Sequence, residues 1–217
     1  MKAPDVTAEP VKLRIIRAAS ELFRKQGVHQ TSPDEIIEAS EAGKGQFYHH
    51  FKNKEGLIHA VLRYHLEAIE SRTFPVDCDV DSWEALQSWF SAQIELQKMF
   101  WMTRACPIGT IGNNVTEHDE LIRQDVARIF DVMTRKLGNF FRNEKAAGRL
   151  AKEADEEALA TLCVAAMQGA MLLCKVARTI RAAEQVASEA LAYVRSYRVG
   201  SKRRIRFEGE RVRSTYS

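Results

Sequence analysis

Five prolines, at positions 4, 10, 33, 75 and 107, are all that interrupt long stretches of apolar residues spaced three and four apart. Proline is tolerated in the first turn of a helix but not inside it. Runs of β-branched residues with a period of two are absent. The chain therefore has one kind of regular structure to build, the α-helix. Residues 11–26 show the pattern: Leu13, Ile16, Ala19 and Phe23 recur at helical spacing, and Arg14, Arg17, Glu21, Arg24 and Lys25 take the other faces. Gly27 follows as a stop. Comparable stretches predict helices over about 33–40, 44–50, 53–72, 82–102, 107–115, 118–146, 155–178 and 182–197. The fold class is all-α, with about nine helices in 217 residues.

Local chemistry sharpens the first boundaries. In "TSPDEIIEAS" Ser32 is a good N-cap, Pro33 fits the first helical position and Glu35 falls third, which is the order of a capping box. Asn53 opens a further helix in "NKEGL". Between residues 32 and 51 two short helices are joined by a tight turn at Glu41-Ala42-Gly43, so that the segment reads as a helix-turn-helix. Such a unit lays its second helix in the DNA major groove, and its neighbours hold phosphates. A left-handed residue is needed in that turn, and Gly43 is expected to supply it rather than Glu41.

The stretch "IIRAASELFRKQGVHQTSPDEIIEASEAGKGQFYHHFKNKEGLIHAVL", residues 15–62, resembles the TetR family of transcriptional regulators. The resemblance runs through an apolar first helix ending in Leu-Phe, Thr-Ser before the second helix, and Lys-Gly before an aromatic Tyr-His-His-Phe. It implies an N-terminal three-helix DNA-binding domain over residues 11–55 and a helical effector-binding and dimerisation domain over 56–197. It also implies roles for residues. Thr31 and Ser32 meet a phosphate at the start of the second helix, Lys44 sits at the start of the recognition helix, and Gln46 faces base edges. Tyr48 bonds a phosphate with His49 beside it, and Lys54 holds a phosphate at the start of the fourth helix. Phe47 and Phe51 turn toward the core. Implied partners are double-stranded DNA with a palindromic operator, a small-molecule effector, and a second copy of the chain joined through helices 155–178 and 182–197. The implied function is a repressor released by its effector.

The second half is less explicit. Aromatic and methionine residues cluster around the fifth helix, and Phe90, Trp101, Met102, Cys106, Met133 and Met167 are candidates to line an apolar pocket. Plain core packing is the alternative for each. Cys106 precedes Pro107 at a helix start, where the helix dipole and Arg104 favour a thiolate, so a second reading is a regulator switched by oxidation or alkylation of Cys106. The four cysteines show no C-x-x-C spacing, and no zinc site or other cofactor is expected. His49 and His50 are adjacent and point about 100° apart on a helix, too divergent to chelate one metal. No catalytic motif is present; a helical-bundle enzyme or carrier is the distant alternative. Nothing suggests a signal peptide or a membrane span, so a cytoplasmic protein is expected. The net charge of +3 conceals a basic tail, residues 198–217, with seven Lys/Arg against two Glu. It reads either as a disordered, solvated end or as a further DNA contact.

Overall fold

The structure, a computed structural model, describes residues 9–116 and 119–201. Among these are nine helices: α1 (Val11–Gln26), α2 (Pro33–Ala39), α3 (Lys44–His50), α4 (Lys54–Glu70), α5 (Trp83–Met99), α6 (Pro107–Gly112), α7 (Glu120–Ala146), α8 (Glu156–Ala177) and α9 (Arg181–Arg195). The only pairing of extended backbone among the described residues is an isolated antiparallel bridge between Leu150 and Arg198.

Helix ends follow their caps. Ser32 Oγ accepts from the Glu35 amide at 3.2 Å, and the Ser32 amide donates to Glu35 Oε2 at 2.7 Å, completing the capping box. Asn53 Oδ1 accepts from the Gly56 amide at 2.8 Å. Gly27 and Gly148 terminate α1 and α7 with φ of 87° and 70°.

The turn between α2 and α3 departs from expectation. Glu41 takes the left-handed conformation, with φ of 51°, and Gly43 is extended at −76°. The reason lies in how α2 ends. The Ala42 amide donates to Ile37 O at 3.2 Å, the six-to-one bond of a Schellman motif, and this fixes Glu41 as the left-handed residue. Gly43 must instead be extended to start α3.

Three helices form a small head. Ile15, Ala19 and Phe23 of α1, Ile36 of α2 and Phe47 of α3 meet in a core where each is essentially inaccessible. α4 packs on α1 and then on α7, so it joins the head to the body, and α1 also packs on α6. In the body, α8 lies against both α7 and α9. By length and composition α8 could cross a membrane. Here one side of it is buried in the protein's own core through Leu159, Cys163, Met167 and Cys174.

α9 is less apolar than expected. Ala183, Ala187, Ala190 and Val194 form one stripe that faces the protein's own core. Its other side carries Glu184, Gln185, Ser188 and Glu189, all exposed. α8 differs, keeping Leu162, Leu172, Leu173 and Val176 on the surface.

The chain after α9 is also anchored further than a tail would be. The Ala151 amide donates to Tyr197 O at 2.8 Å, the Val199 amide donates to Arg149 O at 2.9 Å, and the Arg198 guanidinium lies 5.0 Å over the Trp83 ring. Residues 198–201 are thus part of the body. The remainder of the basic segment lies outside the described residues.

Candidate nucleic-acid interface and effector groove

α3 is seven residues long, and only Phe47 faces inward. Its ring is 6.0 Å from that of Phe51, which is also buried. Lys44, Gly45, Gln46, Tyr48, His49 and His50 are all exposed, Tyr48 by 47%. A helix held by one aromatic anchor offers nearly its whole circumference to a partner. Its N-terminus starts with Gly43, whose amide donates to Gln46 Oε1 at 2.8 Å. That bond engages the Gln46 side-chain carbonyl oxygen, and the amide nitrogen of the same exposed side chain is a donor. His49 and His50 stack edge to face at 5.1 Å, and no metal-binding cluster occurs among the described residues.

The flanking residues divide. Ser32 is exposed at the α2 N-terminus, where its amide and hydroxyl both donate to Glu35 Oε2, at 2.7 and 2.9 Å. Thr31 is only 1% exposed, and its hydroxyl donates to Gly27 O at 2.8 Å. Thr31 therefore secures the bend after α1, and in this conformation its side chain is withdrawn from any phosphate. Lys44 lies 3.5 Å from Asp34 in a largely exposed pair, of a kind that contributes little to stability. Lys54 is partly buried at the start of α4; burial pushes its pKa down and Glu35 opposes that.

Polar and cation–π contacts tie the head and α4 to the rest of the body. Arg104 pairs with Glu21 of α1 at 2.6 Å and stacks 3.7 Å over Phe100, with Arg24 of α1 lying 5.1 Å from the same ring. His29 Nε2 sits 3.2 Å from Asn114 O, just beyond α6. His59 of α4 meets Asp125 of α7 at 2.6 Å.

A groove of about 600 Å³ runs between α6, α7 and α8. Of the six pocket residues expected from sequence, Cys106 lines it. Phe90, Met133 and Met167 are sealed in the core at 1%, 5% and 0% exposure. Met102 packs against the core from its edge. Trp101 is 80% exposed on a left-handed bend after α5. The groove is instead made by absence: Gly109 and Gly112 of α6 face Ala165 and Gly169 of α8, with Phe130 of α7 as one wall. A side chain added at Gly169 would meet nothing within 4 Å. The signal in the sequence was this pair of small-residue spacings, which leave room where larger residues would fill it.

Cys106 does stand at the N-cap of α6. Burial nevertheless pushes its thiol up, and the Gly109 amide, Gln168 and the Ile108 amide only partly offset this. Arg104, expected to favour the thiolate, is occupied with Glu21 and Phe100. The thiol is neutral at physiological pH, which argues against a readily ionised sensor. Cys163 is pushed up to about 12 by burial in the core.

A helix-turn-helix head with an exposed second helix, joined by one long helix to an α-helical body, defines a DNA-binding transcriptional regulator. Residues 15–61 match the family model for bacterial regulatory proteins of the tetR family, and residues 82–189 match that for the LmrA/YxaF-like transcriptional regulator C-terminal domain. The chain belongs to the TetR family. It is similar to the HTH-type transcriptional repressor DhaR of Mycobacterium sp. (strain GP1), with 26% identity over 78% of this chain and 84% of that protein. Similarity to the transcriptional regulator AcuR of Cereibacter sphaeroides is also 26%, over 80% of each. The solved structure of regulatory protein TetR from Rhodobacter sphaeroides shares the fold, with a TM-score of 0.75 at 22% identity over 84% of this chain and 97% of that one.

Proposed function

We propose that the protein is a homodimeric repressor that reads a palindromic operator with α3 and releases it when a small molecule enters the α6–α7–α8 groove. The observation that carries the reading is the exposure of six of the seven α3 residues around the single anchor Phe47. Residues 11–55 act as the reading head and 56–197 as the effector and dimerisation body. Gln46 reads a base edge through its amide. Ser32, Lys44, Tyr48, His49 and Lys54 hold phosphates, with Thr31 positioning Ser32. Since its target is chromosomal DNA, the protein works in the cytoplasm.

The exposed apolar residues of α8, Leu162, Leu172, Leu173 and Val176, supply the dimer surface. α9 contributes less than the sequence suggested, because its alanine stripe is already used internally. Occupation of the groove separates α6 from α8, and the Arg104–Glu21 and His59–Asp125 contacts pass that displacement to the two heads. Two half-sites then cannot be met together.

Titration of the protein against labelled DNA flanking its own gene, read by fluorescence anisotropy at several salt concentrations, tests this reading. Binding should be sequence-specific and salt-sensitive. Lys44→Gln and Lys54→Gln should each lower the salt slope by about 1 and weaken all sequences alike, whereas Gln46→Ala should change base preference. Binding that is equal on all DNA, or slopes that no variant alters, would reject the assigned interface.

A further inference from the structure

We infer that the α6–α7–α8 groove selects an uncharged, largely apolar ligand that presents one hydrogen-bonding group, a carbonyl or hydroxyl, to Gln168. This rests on the groove being the effector site proposed above. Among the described residues, no Asp, Glu, Lys, Arg or His side chain lines it. Its polar groups are a carboxamide at Gln168, another at Asn113, the hydroxyls of Thr134 and Thr161, and the Cys106 thiol. Each can bond a neutral molecule, and none neutralises an ion. An ionised ligand entering the groove would lose its water and find no countercharge.

The contrast with a cleft of nearly equal size shows that this is a property of the site rather than of the chain. Between α4 and α7 a cleft of about 560 Å³ is lined by Lys12, His59, Arg63, Glu67, Asp125 and Arg128, among others. Charge is abundant there and missing from the groove.

Gln168 is placed as the polar reader by a glycine. A Cβ built at Gly109 would fall 2.8 Å from Gln168 Oε1, so the bare Gly109 leaves room for the amide end of Gln168 beside α6. There it sits beside Cys106, with which it shares a hydrogen bond. Phe130 offers an apolar face, and Gly169 opens the α8 side. A ligand with a flat apolar body and one polar end fits these walls.

Three probes with the same ring system separate the classes: naphthol, naphthoate and naphthylmethylammonium. Isothermal titration of each into the full-length protein without DNA reads the groove alone. Naphthol is expected to bind at least about tenfold more tightly than either ion, the factor that a desolvation cost near 1.4 kcal/mol would produce. Gln168→Glu should move the preference toward the ammonium and Gln168→Lys toward the naphthoate. Simple damage to the site would weaken all three probes in both variants. Equal or tighter binding of an ion to the wild-type protein, no naphthol binding up to about 1 mM, or an unchanged preference in both variants would overturn the inference. Operator titration with naphthol present then addresses the effector role separately. Naphthol that binds and lowers operator affinity supports both; naphthol that binds without changing operator affinity supports the ligand class and overturns the effector role.

Discussion

The reading head and the helical body are built from the same residue types, yet position them by different means. In the head, aromatic residues named from the sequence lie where their spacing puts them. Phe47 is sealed in the core and Tyr48, one residue on, is exposed, because neighbours on a helix point about 100° apart. In the body, Trp101 and Phe90 looked alike as pocket candidates. One is 80% exposed and the other 1%. Their fate depends on where α5 ends and what packs on it, which no local pattern states. In the function proposed above, the head works through what α3 leaves uncovered and the body through a space that small residues leave unfilled.

The comparison breaks most directly at Phe47. It is the single inward residue of α3, so Phe47→Ala should cost about 3–5 kcal/mol of stability in chemical denaturation. A cost below about 1 kcal/mol, within the range of ordinary surface changes, would mean that α3 is held by something other than this anchor.

His65 sharpens the comparison at the joint. It lies on α4, is 7% exposed, and its Nε2 sits 2.9 Å from Ser20 Oγ of α1. Phe74 meets its ring edge to face at 5.9 Å, and burial, reinforced by Arg24, pushes its pKa down to about 4. The unfolded chain protonates this histidine near 6.5, so below that pH it binds more protons than the folded state. The contribution of neutral His65 is complete above pH ~6.5, declines as the pH falls, and amounts to a loss of about 3 kcal/mol once pH ~4 is passed. Urea denaturation across this range should show the decline, and His65→Gln should flatten it. Equal slopes in the two proteins would place the acid sensitivity elsewhere. Protonation of His65 loosens the joint between α1 and α4.

The smallest effect treats head and body alike. Glu41 and Trp101 both hold left-handed backbone, with φ of 51° and 52°. Glu41→Gly and Trp101→Gly should each raise stability by up to about 1 kcal/mol, since glycine adopts this conformation without the Cβ clash. A loss at Trp101 with a gain at Glu41 would show that the exposed indole contributes packing that its accessibility conceals.

Much of the fold was legible because helix signals are local. Pro33, Ser32 and Glu35 fix the start of α2, Asn53 that of α4, and Gly27 and Gly148 the ends of α1 and α7. The left-handed residue before α3 was misplaced at Gly43 because glycine is the usual choice, whereas the bond from Ala42 to Ile37 required it at Glu41. Thr31 was read as a phosphate ligand from its place in the motif, and only the folded chain shows its hydroxyl turned to Gly27.

By itself the sequence determined which segments are helical, the helix-turn-helix within residues 32–51, and the family the chain belongs to, since each depends on contacts or spacings within a few turns. Tertiary structure decided the rest. It chose which apolar residues of α8 and α9 turn inward, placed Cys106 against Gln168, pushed that thiol's pKa up by burial, and left a groove between α6, α7 and α8 that no charged side chain among the described residues lines. These outcomes depend on residues from different helices, such as Cys106 and Gln168, meeting in a close-packed interior. There a missing side chain, such as that of Gly109, shapes a site as firmly as one that is present.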